Sequence, residues 1–184
     1  METRNLYFPV GLIILVLGAA WIGASRKAPG QAFSGGIPAP RAGFIAPGFS
    51  LEDQYGSPMA LEDFRGQAVL VNIWASWCPP CRAEMPAMQR VYESLKDEGF
   101  TILAVNATAQ DSRADALEFI SQYGLTFPIL FDTEGVVARM YENRALPSSY
   151  FIDPQGRISE VVIGGPMAET LLVTRVEQLL NANE

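Results

Sequence analysis

The chain alternates between short apolar runs and longer stretches of helical periodicity. Ala68-Val69-Leu70-Val71-Asn72-Ile73 is almost wholly apolar and reads as a strand buried on both faces. Met85, Met88, Val91, Tyr92 and Leu95 then recur at helical spacing, and Gly99 suits the C-terminal cap. Phe100 to Ala107 predicts another buried strand, and Asp111 to Tyr123 an amphipathic helix carrying Leu117, Phe119, Ile120 and Tyr123. A short strand over Phe127 to Phe131 and a short helix over Val136 to Tyr141 follow. Ser149 to Ile152 and Ile158 to Ile163 flank Asp153-Pro154-Gln155-Gly156, a hairpin pattern. Met167 to Leu180 closes as a helix with Leu172, Val176, Leu179 and Leu180 inward. Upstream, Phe49-Ser50-Leu51 and Met59-Ala60-Leu61 bracket a turn over 53–58, and Leu61 to Phe64 suits a single helical turn released by Gly66. Strands alternating with helices and ending in a hairpin predict an α/β sandwich around a mixed sheet. No internal repeat interrupts the pattern.

The N-terminal quarter has a different texture. Leu6 to Ala24 holds 19 residues without a charge. As a helix that is about 28 Å, enough to cross the hydrocarbon core of a bilayer. Tyr7 and Trp21 lie near its ends, where interfacial aromatics sit. A cleaved signal peptide is the rival, with Ile22-Gly23-Ala24 before Ser25 as cleavage site. The apolar run exceeds the usual h-region of about 7–15 residues, which favours an uncleaved anchor. Residues 25–43 are rich in Ala, Gly and Pro and read as a linker, so the expected organisation is a tail at 1–5, an anchor or signal at 6–24, the linker, and one domain at 44–184.

Composition narrows the function. The net charge is −7 across 184 residues, which argues against a nucleic-acid partner, since phosphates reward clustered Lys and Arg. There is no histidine, so Ser–His and Cys–His dyads, His-ligated haem and Cys/His copper sites are excluded. The two cysteines are Cys78 and Cys81, placed where the buried strand turns into a helix. A helix N-terminus favours thiolate over thiol, lowering the pKa and making the sulfur nucleophilic at neutral pH. Pro79 and Pro80 fit the first turn, whose residues need not donate backbone hydrogen bonds. Cys78 at the cap therefore reads as the attacking thiol and Cys81, one turn on, as the resolving thiol. Zinc is not expected, because four nitrogen or sulfur ligands cannot be assembled from one chain. A purely structural disulfide would close a tiny loop and stabilise weakly. Neither a metal nor a cofactor is expected. Glu84 lies three residues after Cys81 on the helix surface, where it serves either as a proton carrier for that thiol or as an ordinary first-turn acid favoured by the dipole. Trp74 suits core packing, Trp77 a partly exposed platform beside Cys78, and Arg82 a solvated position.

The Trp-Cys-x-x-Cys after a buried strand resembles thioredoxin. The longer pattern from Asn72-Ile73-Trp74-Ala75-Ser76-Trp77-Cys78 to Glu84-Met85-Pro86 resembles the membrane-anchored TlpA/ResA-like thiol-disulfide oxidoreductases, with a redoxin (AhpC/TSA-type) domain. The resemblance runs from about Ala46 to the C-terminus and implies a thioredoxin-like three-layer sandwich. It also implies reduction of protein disulfides outside the cytoplasm, often those of apocytochrome c before haem attachment, with electrons from a membrane donor. A glutamate at position 84 characterises that reductase group. Thioredoxin carries a buried aspartate where this chain has Asn72, an amide that cannot carry a proton, so Glu84 is expected to take over the role. Pro147, within Ala145-Leu146-Pro147-Ser148-Ser149, resembles the family's cis-proline, which presents Leu146 to the disulfide and to an extended substrate chain.

For topology, Arg4 offset by Glu2 precedes the apolar segment and Arg26 and Lys27 follow it, a count that alone favours a cytoplasmic domain. The charge difference is small, and the reading follows the resemblance: a single-pass membrane protein with its catalytic domain extracytoplasmic. The competing readings are a disulfide donor or isomerase, and a non-catalytic membrane-bound scaffold or chaperone. The motif resembles thioredoxin's and not a peroxidatic loop, so peroxidase activity is not expected.

Overall fold

The structure is a computed structural model and describes residues 38–181. The tail, the apolar span at 6–24 and most of the linker lie outside these residues. Among the described residues no helix is long and apolar enough to cross a membrane.

The elements are β1 (Ser50–Asp53), β2 (Pro58–Ala60), β3 (Ala68–Trp74), α1 (Pro79–Leu95), β4 (Phe100–Asn106), α2 (Arg113–Tyr123), β5 (Ile129–Phe131), α3 (Val136–Met140), β6 (Ser148–Ile152), β7 (Ile158–Ile163) and α4 (Glu169–Asn181). A single 3₁₀ turn, Leu61–Phe64, joins β2 to β3. The seven strands form one sheet in the order β2-β1-β5-β4-β3-β6-β7. β3 and β5 run parallel to β4, while β6 and β7 add antiparallel on one side and β1 and β2 on the other. The sheet is mixed and the fold thioredoxin-like, as the order of elements predicts.

The near-continuous apolar runs follow from position. Every residue of β3 and β4 is buried, because both strands lie at the sheet centre with layers on both faces. Alternation along β3 divides its side chains between two cores. Leu70 and Trp74 join Met85, Met88 and Val91 of α1, Phe119 of α2, and Leu172 and Val176 of α4. Val69, Val71 and Ile73 face the opposite layer, with Leu130, Val137, Tyr141 and Tyr150. Burying side chains of this size contributes about 1.5–3 kcal/mol each. Asn72 stands at an even position like Leu70 and Trp74, so it points toward α1. That single polar residue in an apolar run sets up the site.

The helices match their expected spans to within a few residues. α1 passes into a 3₁₀ turn, Lys96–Glu98, and ends at Gly99 with φ +89°, a left-handed value that glycine adopts without cost. Leu117, expected on the apolar stripe of α2, is instead exposed. Ala116, Phe119 and Ile120 form the buried stripe, because the helix turns its Phe119 face toward Trp74, with ring centroids 5.3 Å apart.

Candidate active site

β3 ends at Trp74, and the chain crosses to α1 through Ala75-Ser76-Trp77. Cys78 is the N-cap of α1, with φ −80° and ψ 111°, and Pro79 and Pro80 occupy the first two helical positions. The Cys78 sulfur accepts the backbone N–H of Cys81 at 3.3 Å, in the place a serine or aspartate oxygen takes in an ordinary cap. Cys78 and Cys81 are joined as a disulfide, their Cα atoms 5.3 Å apart. Both are nearly inaccessible, Cys78 at 2% and Cys81 at 0%. On reduction, the same N–H and the helix dipole are in place to stabilise a thiolate on Cys78.

One turn beyond Cys81, Glu84 is fully buried. Its Oε1 accepts from Asn72 Nδ2 at 2.9 Å, and its Oε2 accepts the backbone N–H of Met167 at 3.2 Å. The same Asn72 amide donates to Ser149 Oγ at 2.9 Å, which ties β3, α1 and β6 together. Burial pushes the Glu84 carboxyl above its ordinary value of 4.5, and the two donors only partly offset this. Among the described residues it has no salt-bridge partner. The site therefore holds a carboxyl group whose affinity for a proton is raised, on the helix that carries Cys81.

The Leu146–Pro147 bond is cis. Pro147 is buried at the start of β6, and half-buried Leu146 packs against the core that contains both cysteines. Gly165, after β7, packs closely here. A Cβ built on it would lie 2.7 Å from Glu84 Oε2 and 2.8 Å from Pro147 Cγ. Trp77 is 54% exposed beside Cys78, and its indole N–H donates to the Gln110 carbonyl at 2.9 Å. Trp74 is fully buried. The six residues singled out from sequence thus fall on three adjoining segments: the β3–α1 turn, the first turns of α1, and the entry to β6.

The AhpC/TSA family profile matches residues 42–161. The chain belongs to the AhpC/TSA family. It is similar to the thiol-disulfide oxidoreductase ResA of Oceanobacillus iheyensis, 40% identical over 98% of this chain and 90% of that protein. ResA of Bacillus subtilis is 37% identical over 71% of each. Among solved structures, a protein described as a putative thiol:disulfide interchange protein DsbE from Chlorobium tepidum superposes with a TM-score of 0.70 at 33% identity, covering 76% of this chain and 98% of that one. With a Cys-Pro-Pro-Cys pair at the cap of α1, this AhpC/TSA member is an enzyme of the thiol-disulfide oxidoreductase type.

Sequence reasoning did not reach the support beneath the Cys78 turn in this family member. Asp111, between β4 and α2, accepts from Ser76 N–H at 2.6 Å, Ser76 Oγ at 2.7 Å, Asn106 Nδ2 at 2.8 Å and Ser112 N–H at 2.9 Å. Burial alone would raise its pKa, but the four donors outweigh that and hold the carboxyl below its ordinary value. Arg82, expected to be solvated, is half-buried: it donates to the Ser76 carbonyl at 3.0 Å and lies 4.9 Å from the Phe119 ring centroid. Its long stem packs against α2 while the guanidinium holds the turn. No local pattern marks these partners, because Asp111 lies 35 residues from Ser76.

Proposed function

We propose that this enzyme reduces protein disulfides outside the cytoplasm while tethered to the membrane through residues 6–24, and that its substrates include apocytochromes awaiting haem attachment. The observation that carries the reading is the buried Glu84 carboxyl, held by Asn72 and Met167 on the helix of the resolving thiol. The Cys78 thiolate attacks one sulfur of the substrate disulfide, forming a mixed disulfide and releasing the first substrate thiolate. Glu84 takes the proton of Cys81, whose thiolate attacks Cys78 Sγ and releases the second substrate thiolate. Two electrons pass to the substrate and the Cys78–Cys81 disulfide forms, the state held in this structure. A membrane dithiol donor returns the enzyme to its reduced form. Similarity to the ResA proteins supports the assignment, and the apolar span at 6–24 supports the tether, which keeps the site near chains emerging at the membrane.

The reduction potential of the Cys78–Cys81 pair tests the direction of electron flow, measured by equilibration with thiol buffers and alkylation trapping. A value below about −220 mV is expected of a reductase. A value above about −150 mV makes the protein a disulfide donor or isomerase instead. A Cys78→Ser variant with full cellular function would point to a scaffold.

A further inference from the structure

Beside Trp77 lies a hollow of about 420 Å³ that the mechanism above does not use. Its wall includes Gln110, Gly135, Arg139, Glu142 and Arg144. Two links tie it to the active-site segments. The Gln110 carbonyl holds the Trp77 indole, and Arg144 is separated by Ala145 alone from the Leu146–Pro147 segment.

Its exposed lining carries more cation than anion, above the buried Asp132, whose Oδ2 accepts the Ala138 N–H at 2.8 Å. The chain carries a net −7, yet the wall holds two exposed arginines against one glutamate. Glu142 faces a third arginine, Arg41, at 3.8 Å, which offsets its charge. Arg139 pairs with no carboxylate among the described residues; its Nη1 donates to the Glu134 carbonyl at 2.8 Å, a neutral acceptor that holds the guanidinium without neutralising it. Arg144 has no hydrogen-bond or ion-pair partner among the described residues. Gly135, at φ +66°, keeps the space open: a Cβ there would lie 3.2 Å from Arg139 Nη1 and 3.4 Å from Ala109 Cβ. On an acidic protein, two exposed arginines with no carboxylate partner among the described residues favour carboxylate ligands.

We propose that this hollow is a specificity subsite for an acidic segment flanking the reactive cysteine of the protein substrate, with Arg139 and Arg144 binding its carboxylates. The inference rests on the reading that the partner is a protein thiol or disulfide, but not on the direction of electron flow.

The test uses the full chain with Cys81→Ser, which arrests the reaction at the mixed disulfide. Two peptides, each with one cysteine activated as a mixed disulfide, carry either glutamates or glutamines beside it. The Cys78 thiolate attacks the peptide sulfur, forms the Cys78–peptide disulfide and expels the activating group as a thiolate. Rates are normalised to those of a small-molecule thiol with the same peptides. At low salt the glutamate peptide is expected to react about tenfold faster, and the difference to shrink as salt rises. Arg139→Gln with Arg144→Gln brings it down to the glutamine peptide, whose own rate does not change. Arg144→Glu alone, at a side chain with no structural partner, also lowers the preference. Equal rates for the two peptides, or a preference that survives removal of both arginines, overturns the subsite. An oxidising potential for the Cys78–Cys81 pair with the preference intact overturns only the direction of electron flow.

Discussion

Glu84 and Asp111 are both carboxyl groups with hydrogen-bond donors around them, and their surroundings move them in opposite directions. Asp111 keeps partial solvent access and receives four donors, so its charged form is favoured. Glu84 is sealed from water with two donors, so its neutral form is favoured. The consequences for stability have opposite signs. For Glu84 the folded state binds its proton more tightly than the unfolded chain, so its contribution is complete below pH 4.5 and is lost as pH rises through the raised folded value. The stability of the wild type relative to Glu84→Gln should therefore fall as pH rises above 4.5 in urea titrations; a pH-independent difference would show that burial does not raise this group. In stopped-flow resolution of a mixed disulfide, Glu84→Gln should slow the Cys81 step on the order of 10²-fold, the scale of a lost general base. An unchanged rate would remove Glu84 from the mechanism. Asp111 contributes above its ordinary value of 3.8, and that contribution is lost as pH falls through its lower folded value. Asp111→Ala at neutral pH is expected to cost about 1–2 kcal/mol of unfolding free energy, the low end for charged hydrogen bonds given its partial exposure.

At the scale of elements, the site exists because three segments meet. β3 delivers Asn72 to its α1 face, α1 presents Cys81 and Glu84 on adjacent turns, and the stretch from β7 to α4 closes over them with Gly165 and the Met167 N–H. Gly165 is the tight point. Gly165→Ala forces its new methyl against Glu84 and Pro147, and overpacking of this kind costs about 1–3 kcal/mol. A thermal melt should show the loss, and unchanged stability would mean the β7–α4 stretch yields freely. The hydrophobic periods of these elements were legible in the chain. Their contacts were not, since Asn72 meets Ser149 across 77 residues and Glu84 meets Met167 across 83.

At the scale of the whole molecule, the disulfide closes only a three-residue separation, so its removal should leave the fold intact. The loss on reduction is expected at about 2 kcal/mol or less by loop-closure entropy, readable by comparing denaturant midpoints of the oxidised and reduced forms. Stability resides in the two cores on either face of the seven-stranded sheet. The sequence by itself determined the α/β order, the two central strands, the capping position of Cys78 and the pairing chemistry of the only two cysteines. Those features are local: period, cap and spacing are set by residues within one or two turns of each other. Tertiary structure alone decided that Arg82 folds onto Phe119 instead of into solvent, that Leu117 faces out, that Asp111 underpins the Cys78 turn, and that Arg139 and Arg144 share a hollow with Gln110, whose carbonyl holds Trp77. Each depends on groups brought together from distant positions, and burial and hydrogen-bond partners are properties of that packing rather than of any stretch of chain.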